Sequence, residues 1–157
     1  MEPPAQEIDT MVRFLQDRAR EFGDRPALLF KAGFRYRRWS YTQVWEETGR
    51  VASLLRQRGL AKGDRVLLWG PNCPQWVLAF FGCMRAGVIV VPLDLRSAAD
   101  FVQSVASKTR PQLAFVSRVT PEFRDDLGLP EVYLEDLEKL YQGLPIPDRV
   151  DVASEDL

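Results

Sequence analysis

Histidine does not occur among the 157 residues. Its absence removes the commonest general base and metal ligand, so neither a His-dependent triad nor a His-ligated zinc site can be built. Cysteine is scarce. Cys73 and Cys83 cannot make a disulfide framework and lack metal spacing, which points to a reducing, cytoplasmic compartment. The N-terminal stretch MEPPAQEIDT is polar and acidic and has no apolar core of the kind a signal peptide needs. Long uncharged runs are also missing. Trp76–Leu93 comes nearest, but Arg85 stands near its middle and Gly87 and Pro92 interrupt it. A charge at a helix centre costs about 2.5–3.5 kcal/mol on insertion scales, so a transmembrane helix is disfavoured.

Charge of one sign is missing locally rather than overall. The chain carries 21 Lys and Arg against 22 Asp and Glu, for a net charge of −1. Residues 11–70 hold thirteen basic and six acidic residues, and residues 121–157 hold three and eleven. Arg35, Arg37 and Arg38 invite a nucleic-acid reading, but no known motif accompanies them. Alternation on a strand simply turns such residues to solvent, so no nucleic-acid partner is expected. Apolar residues make up 46%, enough for one domain of this length to bury a core.

What is present is organised around Gly63–Asp94. Arg65–Trp69 is a short apolar run between Gly63 and Gly70, the pattern of a buried strand. Pro71–Pro74 forms a turn, with Asn72 expected as N-cap and Pro74 suited to a helix start. A helix is expected over Gln75–Ala86, stopped by Gly87 in a left-handed conformation. Val88–Val91 is a β-branched run expected to be buried on both faces of a parallel sheet. Strand, helix and strand make a right-handed βαβ unit.

Around this unit the elements follow in order. Ile8, Met11, Val12, Leu15, Ala19 and Phe22 keep helical spacing up to Gly23. Ala27–Phe30 and Phe34–Trp39 read as a hairpin across Lys31–Gly33. Ser40 and Gln43 form a capping box for a helix ending near Arg58, with Val44, Thr48, Val51, Ala52 and Leu55 on one face and Trp45 packing beside them. A further helix starts at Arg96 or Ser97 and ends at Thr109, with Phe101, Val105, Ala98 and Val102 facing inward. Leu113–Val116 is a third strand, Val132–Leu134 a candidate fourth, and Glu135–Tyr141 a short acidic helical turn. The fold class is therefore α/β: an open, mostly parallel, doubly wound sheet with helices on both faces, preceded by a helix and a β-hairpin. The chain divides into residues 1–39 (helix plus hairpin), 40–116 (the βαβ core) and 117–157 (an acidic connecting segment).

The ordered series GDRVLLWGPNCPQWVLAFFGCMRAGVIVVPLD resembles the N-terminal region of the adenylate-forming acyl-CoA synthetases, the AMP-dependent synthetases and ligases. The resemblance covers roughly residues 10–120 and is clearest between Ser40 and Asp94. It implies a parent enzyme in which a carboxylate attacks the α-phosphate of ATP, giving an acyl-adenylate and pyrophosphate, after which coenzyme A takes the acyl group. ATP, Mg2+ and coenzyme A are the implied cofactors, and a fatty acid is the expected carboxylate.

Such chemistry needs a loop of Ser, Thr and Gly ending in Lys, whose amides and hydroxyls surround the phosphates. No such run occurs in residues 1–157, and the tail Asp151–Leu157 resembles the segment that precedes it. The chain is accordingly expected to be an inactive N-terminal part of one large domain. No catalytic residue is carried over. The loop after Val91 is the expected substrate-side element, with Leu95 and Arg96 bordering the acceptor channel and Arg96 meeting a coenzyme A phosphate; against this, Arg96 is simply solvated and Asp94 caps the turn. Exposed sheet edge and apolar surface predict a homodimer. Two other readings stay open: an adenylation domain that loads a carrier protein, and a stand-alone flavodoxin-like binding module.

Overall fold

The computed structural model describes residues 10–147 and residue 153; Ile8 and the rest of the 151–157 tail lie outside the described residues. The chain begins with α1 (Met11–Phe22), capped by the Thr10 hydroxyl, which accepts from the Arg13 amide at 3.1 Å. The hairpin follows as β1 (Pro26–Ala32) and β2 (Arg35–Ser40), paired antiparallel from Pro26 opposite Ser40 to Ala32 opposite Arg35. The capping box then starts α2 (Tyr41–Gln57). The Gln43 amide donates to Ser40 Oγ at 3.1 Å, and the Ser40 amide donates to Gln43 Oε1 at 2.8 Å.

The second sheet is parallel and runs β4–β3–β5–β6, built from β3 (Arg65–Trp69), β4 (Ile89–Leu93), β5 (Leu113–Val116) and β6 (Glu131–Tyr133). Helices α3 (Pro74–Ala86) and α4 (Ala99–Thr109) make the crossovers, and α5 (Leu137–Tyr141) follows β6. Strand alternation sorts the core into two layers. Val66 and Leu68 of β3 join Phe115 in a cluster with the residues of α2 and α3. Leu67 and Trp69 join Ala114 and Val116 under Val102 of α4. Helices therefore cover both faces, as the doubly wound reading expects.

Three expectations are corrected here. The run Val88–Val91 is not buried on both faces inside the sheet: Ile89 is exposed and Val90 and Val91 are half-buried. The central places belong to β3 and β5, and β4 is an edge strand with Ile89 and Pro92 exposed. The Ile89 amide bonds to the Asp64 carbonyl at 2.7 Å, so by strand alternation the Val90 and Pro92 nitrogens face outward. Proline has no N–H, which leaves that edge short of a donor and blunts it against another strand. Next, α4 starts at Ala99 with Ala98 as N-cap, rather than at Arg96 or Ser97. Finally, Phe101 is 55% exposed, because Val102, Val105 and Ala106 form the inward stripe and Phe101 lies about 100° round the helix from Val102.

Gly87 ends α3 at φ 73° and ψ 18°, the left-handed geometry expected of it. A Cβ there would lie 3.0 Å from Lys62 Cγ. Gly87→Val is expected to lower stability by more than about 1 kcal/mol, read as a shift of the urea midpoint. An unchanged midpoint would show that the turn relaxes without cost.

Candidate functional site

Open parallel sheets place ligands beyond the carboxyl ends of their strands, where the winding reverses. Here β3 leads first to β4 on one side and then, through α4, to β5 on the other, so the reversal lies between β3 and β5. Four loops converge there, after Trp69, Leu93, Val116 and Tyr133.

The crevice between β3 and β5 is filled by the chain itself. Thr120 Oγ1 donates to the Trp69 carbonyl at 2.8 Å and accepts from the Ser117 amide at 2.9 Å. Ser117 Oγ donates to Glu135, whose same oxygen accepts from the Arg118 amide at 3.1 Å. Partial burial pushes the Glu135 carboxyl up, but the Ser117 hydroxyl and backbone donors outweigh this and hold it below its ordinary value. Gly70 lets the layers close: a Cβ there would lie 2.8 Å from Leu134 Cδ1.

The loop after β4 is more open. Asp94 accepts from the Arg96 amide at 2.8 Å and pairs with the Arg96 guanidinium at 3.3 Å. The Arg96 hydrogen bonds hold the Asp94 carboxyl below its usual range. Arg96 is 90% exposed and Leu95 half-buried. The Trp69 indole donates to the Asp94 carbonyl at 2.9 Å and ties this loop to the sheet. The structure thus brings Asp94 and Arg96 together and leaves the guanidinium facing solvent.

Asn72 does not cap α3. The helix begins at Pro74, one residue earlier than expected, so Cys73 takes the N-cap place without a side-chain hydrogen bond. Burial pushes the Cys73 thiol up, which leaves it protonated and a poor nucleophile at neutral pH.

Two polar clusters escaped the sequence reading. In the first, Glu47 Oε2 accepts from Tyr141 Oη at 2.8 Å and from Trp39 Nε1 at 3.2 Å. Beside it, Glu138 pairs with Arg37 at 2.9 Å and accepts from Gln75 at 2.6 Å. Burial raises the Glu47 carboxyl, and the Arg37 and Gln75 hydrogen bonds bring Glu138 down against partial burial. An open cavity of about 630 Å3 lies against this cluster, lined by Glu47, Arg50, Glu138, Lys139, Tyr141 and Gln142 among others. The network staples the hairpin, α2, α3 and α5 together.

In the second cluster Arg85 is 1% exposed. Its guanidinium lies 3.5 Å from the Trp45 ring centroid and donates to the Trp45 carbonyl and, at 3.2 Å, to Thr48 Oγ1. Burial lowers its pKa to about 10, still protonated at neutral pH. Its Nε has no hydrogen-bond partner among the described residues. Ile146 closes over this place: a Cβ on Gly49 would lie 2.7 Å from Ile146 Cγ2 and 2.9 Å from an Arg85 nitrogen. Ser53 Oγ donates to the Pro145 carbonyl at 2.6 Å and holds the segment down. The missed signal was helical spacing: Glu47 stands three residues after Val44, and Arg85 three after Gly82, both beside apolar stripes.

Among the described residues no cluster of Cys, Asp or Glu could hold a metal ion, and no helix is long and apolar enough to cross a membrane. No step of adenylation is assigned to these residues.

The family model described as AMP-binding enzyme matches residues 15–154. The chain is 30% identical over 136 residues to a crotonobetaine/carnitine–CoA ligase of Citrobacter koseri, an alignment covering 85% of this chain and 26% of that protein. It thus spans about a quarter of the length of the curated relatives it matches. In shape it is similar to the N-terminal subdomain of Klebsiella oxytoca NpsA bound to 3-hydroxybenzoyl-AMSN, with a TM-score of 0.78, 18% identity, and 95% and 36% of the two chains covered. A fatty acyl-adenylate ligase from L. pneumophila gives a TM-score of 0.74 at 21% identity, covering 90% and 26%.

Proposed function

The chain belongs to the AMP-binding enzyme family, and from that premise we propose that it is the N-terminal part of an ATP-dependent carboxylate–CoA ligase of the cytoplasm. The observation that carries the reading is the similarity to a CoA ligase across 85% of this chain. The carboxylate we propose is a fatty acid. ATP and Mg2+ are to be held by residues beyond these 157, because no Ser/Thr/Gly loop ending in Lys lies within them. In this scheme the chain supplies one part of the large adenylate-forming domain. Its contribution to chemistry is positional: β3 and its neighbours fix the loops at their carboxyl ends.

The reading is tested by carboxylate-dependent exchange of pyrophosphate into ATP. The pure 157-residue chain is expected to be silent. The product of the longer reading frame is expected to exchange with fatty acids and to form a thioester with coenzyme A. Exchange by the chain alone overturns the partial-domain reading. Transfer only to a carrier protein replaces coenzyme A as the acceptor, and a frame that ends at Leu157 favours a stand-alone binding module.

Within this proposal Leu95 and Arg96 border the acceptor channel, supported by their place beyond the carboxyl end of β4. Arg96→Ala in the longer enzyme is expected to raise the KM for coenzyme A roughly tenfold, the size of one lost charge-assisted hydrogen bond, and to spare exchange. Equal loss in both half-reactions, or in neither, makes the loop structural. The isolated chain is further proposed to dimerise through exposed apolar surface around Ile89 and Phe101, since Pro92 limits pairing along the β4 edge. Sedimentation equilibrium should show a concentration-dependent dimer that Phe101→Lys weakens. A strict monomer at high concentration refutes it.

A further inference from the structure

The β1–β2 hairpin joins a local excess of positive charge to an exposed aromatic tip. Residues 26–40 hold four basic residues, Lys31, Arg35, Arg37 and Arg38, and no acidic one. The pairing register sorts them by face, because residues directly opposite in a hairpin share a side. Leu28 with Trp39, and Phe30 with Arg37, share one face. That face turns inward, since Trp39 is buried and Arg37 reaches Glu138. Leu29 with Arg38, and Lys31 with Tyr36, share the other. All four of these residues are exposed.

Beyond the last pair, Ala32 opposite Arg35, stands Phe34, 104% exposed, as open as in an isolated peptide. Lys31 Nζ lies 5.9 Å from the Tyr36 ring centroid, so the cation and the aromatic ring sit together. No carboxylate of the described residues pairs with Arg35 or Arg38.

We propose that this hairpin docks the protein on an anionic lipid surface, with Phe34 entering the headgroup–acyl boundary and Lys31 and Arg38 meeting lipid phosphates. Strand geometry sets the depths. At about 3.4 Å per residue the Lys31–Tyr36 pair lies about 7 Å behind the tip and the Leu29–Arg38 pair about 14 Å. Interfacial segments bury their apolar side about 5–10 Å. Phe34 is thus at insertion depth, Tyr36 and Lys31 lie at headgroup level, and Arg38 reaches the phosphates from the rim on its long side chain. The charges are complementary: the hairpin is locally basic on a chain whose net charge is −1, and it offers an anionic surface a cationic contact beside its aromatic tip. A projecting aromatic tip also suits a deformable lipid surface better than a folded partner, which would need a matching socket. The surface is independent of the carboxylate–ligase reading.

The test uses the 157-residue chain and sedimented vesicles of phosphatidylcholine, alone or mixed in equal parts with phosphatidylglycerol. Binding is expected to the anionic vesicles and to fall away at about 0.5 M salt, where screening is short-ranged. Arg38→Gln should weaken partitioning about fivefold, the effect of one surface charge. Phe34→Ser should weaken it about tenfold, as an apolar ring leaves the interface. Neither residue belongs to the core, so far-UV circular dichroism and the urea midpoint should not change. In Phe34→Trp, emission beyond that of the parent chain should be quenched by brominated lipid.

The proposal is overturned by equal binding to both vesicle types, by variants that partition like the parent, or by an unquenched Trp at position 34. It is overturned equally by single-stranded RNA that competes the chain off the vesicles while binding it more tightly.

Discussion

Gly82→Val is expected to cost more than about 3 kcal/mol and to leave little folded protein at 37 °C. The residue sits in α3 against α2, where a Cβ would fall 2.4 Å from Val51 Cγ1 and 2.6 Å from Val51 Cβ. A rotamer change could move the first atom. It cannot move the second, because Cβ is fixed by the backbone. The Thr48 carbonyl, 3.4 Å away, closes the remaining side. The helices must therefore separate, and every buried contact between them weakens. Gly82→Ala sharpens the point. Helix propensity alone favours Ala over Gly by about 1 kcal/mol. The contact predicts the opposite sign, a net loss of about 1–3 kcal/mol from overpacking. Denaturant unfolding of both variants decides it. An Ala variant as stable as the parent would mean that α2 and α3 slide apart freely.

Arg85→Glu should be nearly as damaging, with an expected loss of about 3–5 kcal/mol. The guanidinium is stacked on Trp45 and donates to its carbonyl and to Thr48. A carboxylate there faces the Trp45 carbonyl with nothing to accept, and burial leaves water unable to solvate it. The companion variant Arg85→Met keeps much of the volume and removes the charge. It leaves the Trp45 carbonyl short of one donor but also removes the partnerless Nε, so the expected change is within about 1.5 kcal/mol. The pair of midpoints separates a requirement for the cation from a requirement for its bulk. If both variants melt alike, shape alone holds this site.

Most of the architecture could be read from local pattern because local causes make it. The Ser40–Gln43 capping box involves neighbours three residues apart, and Gly87 must satisfy a turn of its own helix. The strands Arg65–Trp69 and Leu113–Val116 are short apolar runs and can be little else. The order of strands was harder. Val88–Val91 is the more β-branched run, yet it forms the edge, while Arg65–Trp69 takes the centre. Composition reports burial, and an edge strand under a helix is still half-buried. Pro92 was the residue that distinguished them, through the direction of a missing N–H.

The site was less legible because its contacts cross long separations. Gln75 meets Glu138, Tyr141 meets Glu47, and Arg37 meets Glu138, at distances along the chain that no local pattern reports. The stretch around Glu135–Tyr141, expected only as an acidic helical turn, supplies the partners for most of these bonds. Asp94 and Arg96, two residues apart, were the kind of pair that sequence alone can join.

The closure of Ile146 over Arg85 also fixes an order of events during synthesis. Both helices that hold Arg85, α2 and α3, are complete by residue 86, yet the side chain that roofs the guanidinium is made sixty residues later. At about 5–20 residues per second, the helix pair spends seconds outside the ribosome with this cation still wet. During that interval Gly49 has no Ile146 against it, and Trp45 can stack on Arg85 while water completes the hydrogen bonds. The Ser53–Pro145 bond then closes a loop of 92 residues over this place. Ribosome-arrested chains with residue 146 still inside the exit tunnel, or already outside it, should therefore differ in protection of the α2 amides from hydrogen exchange.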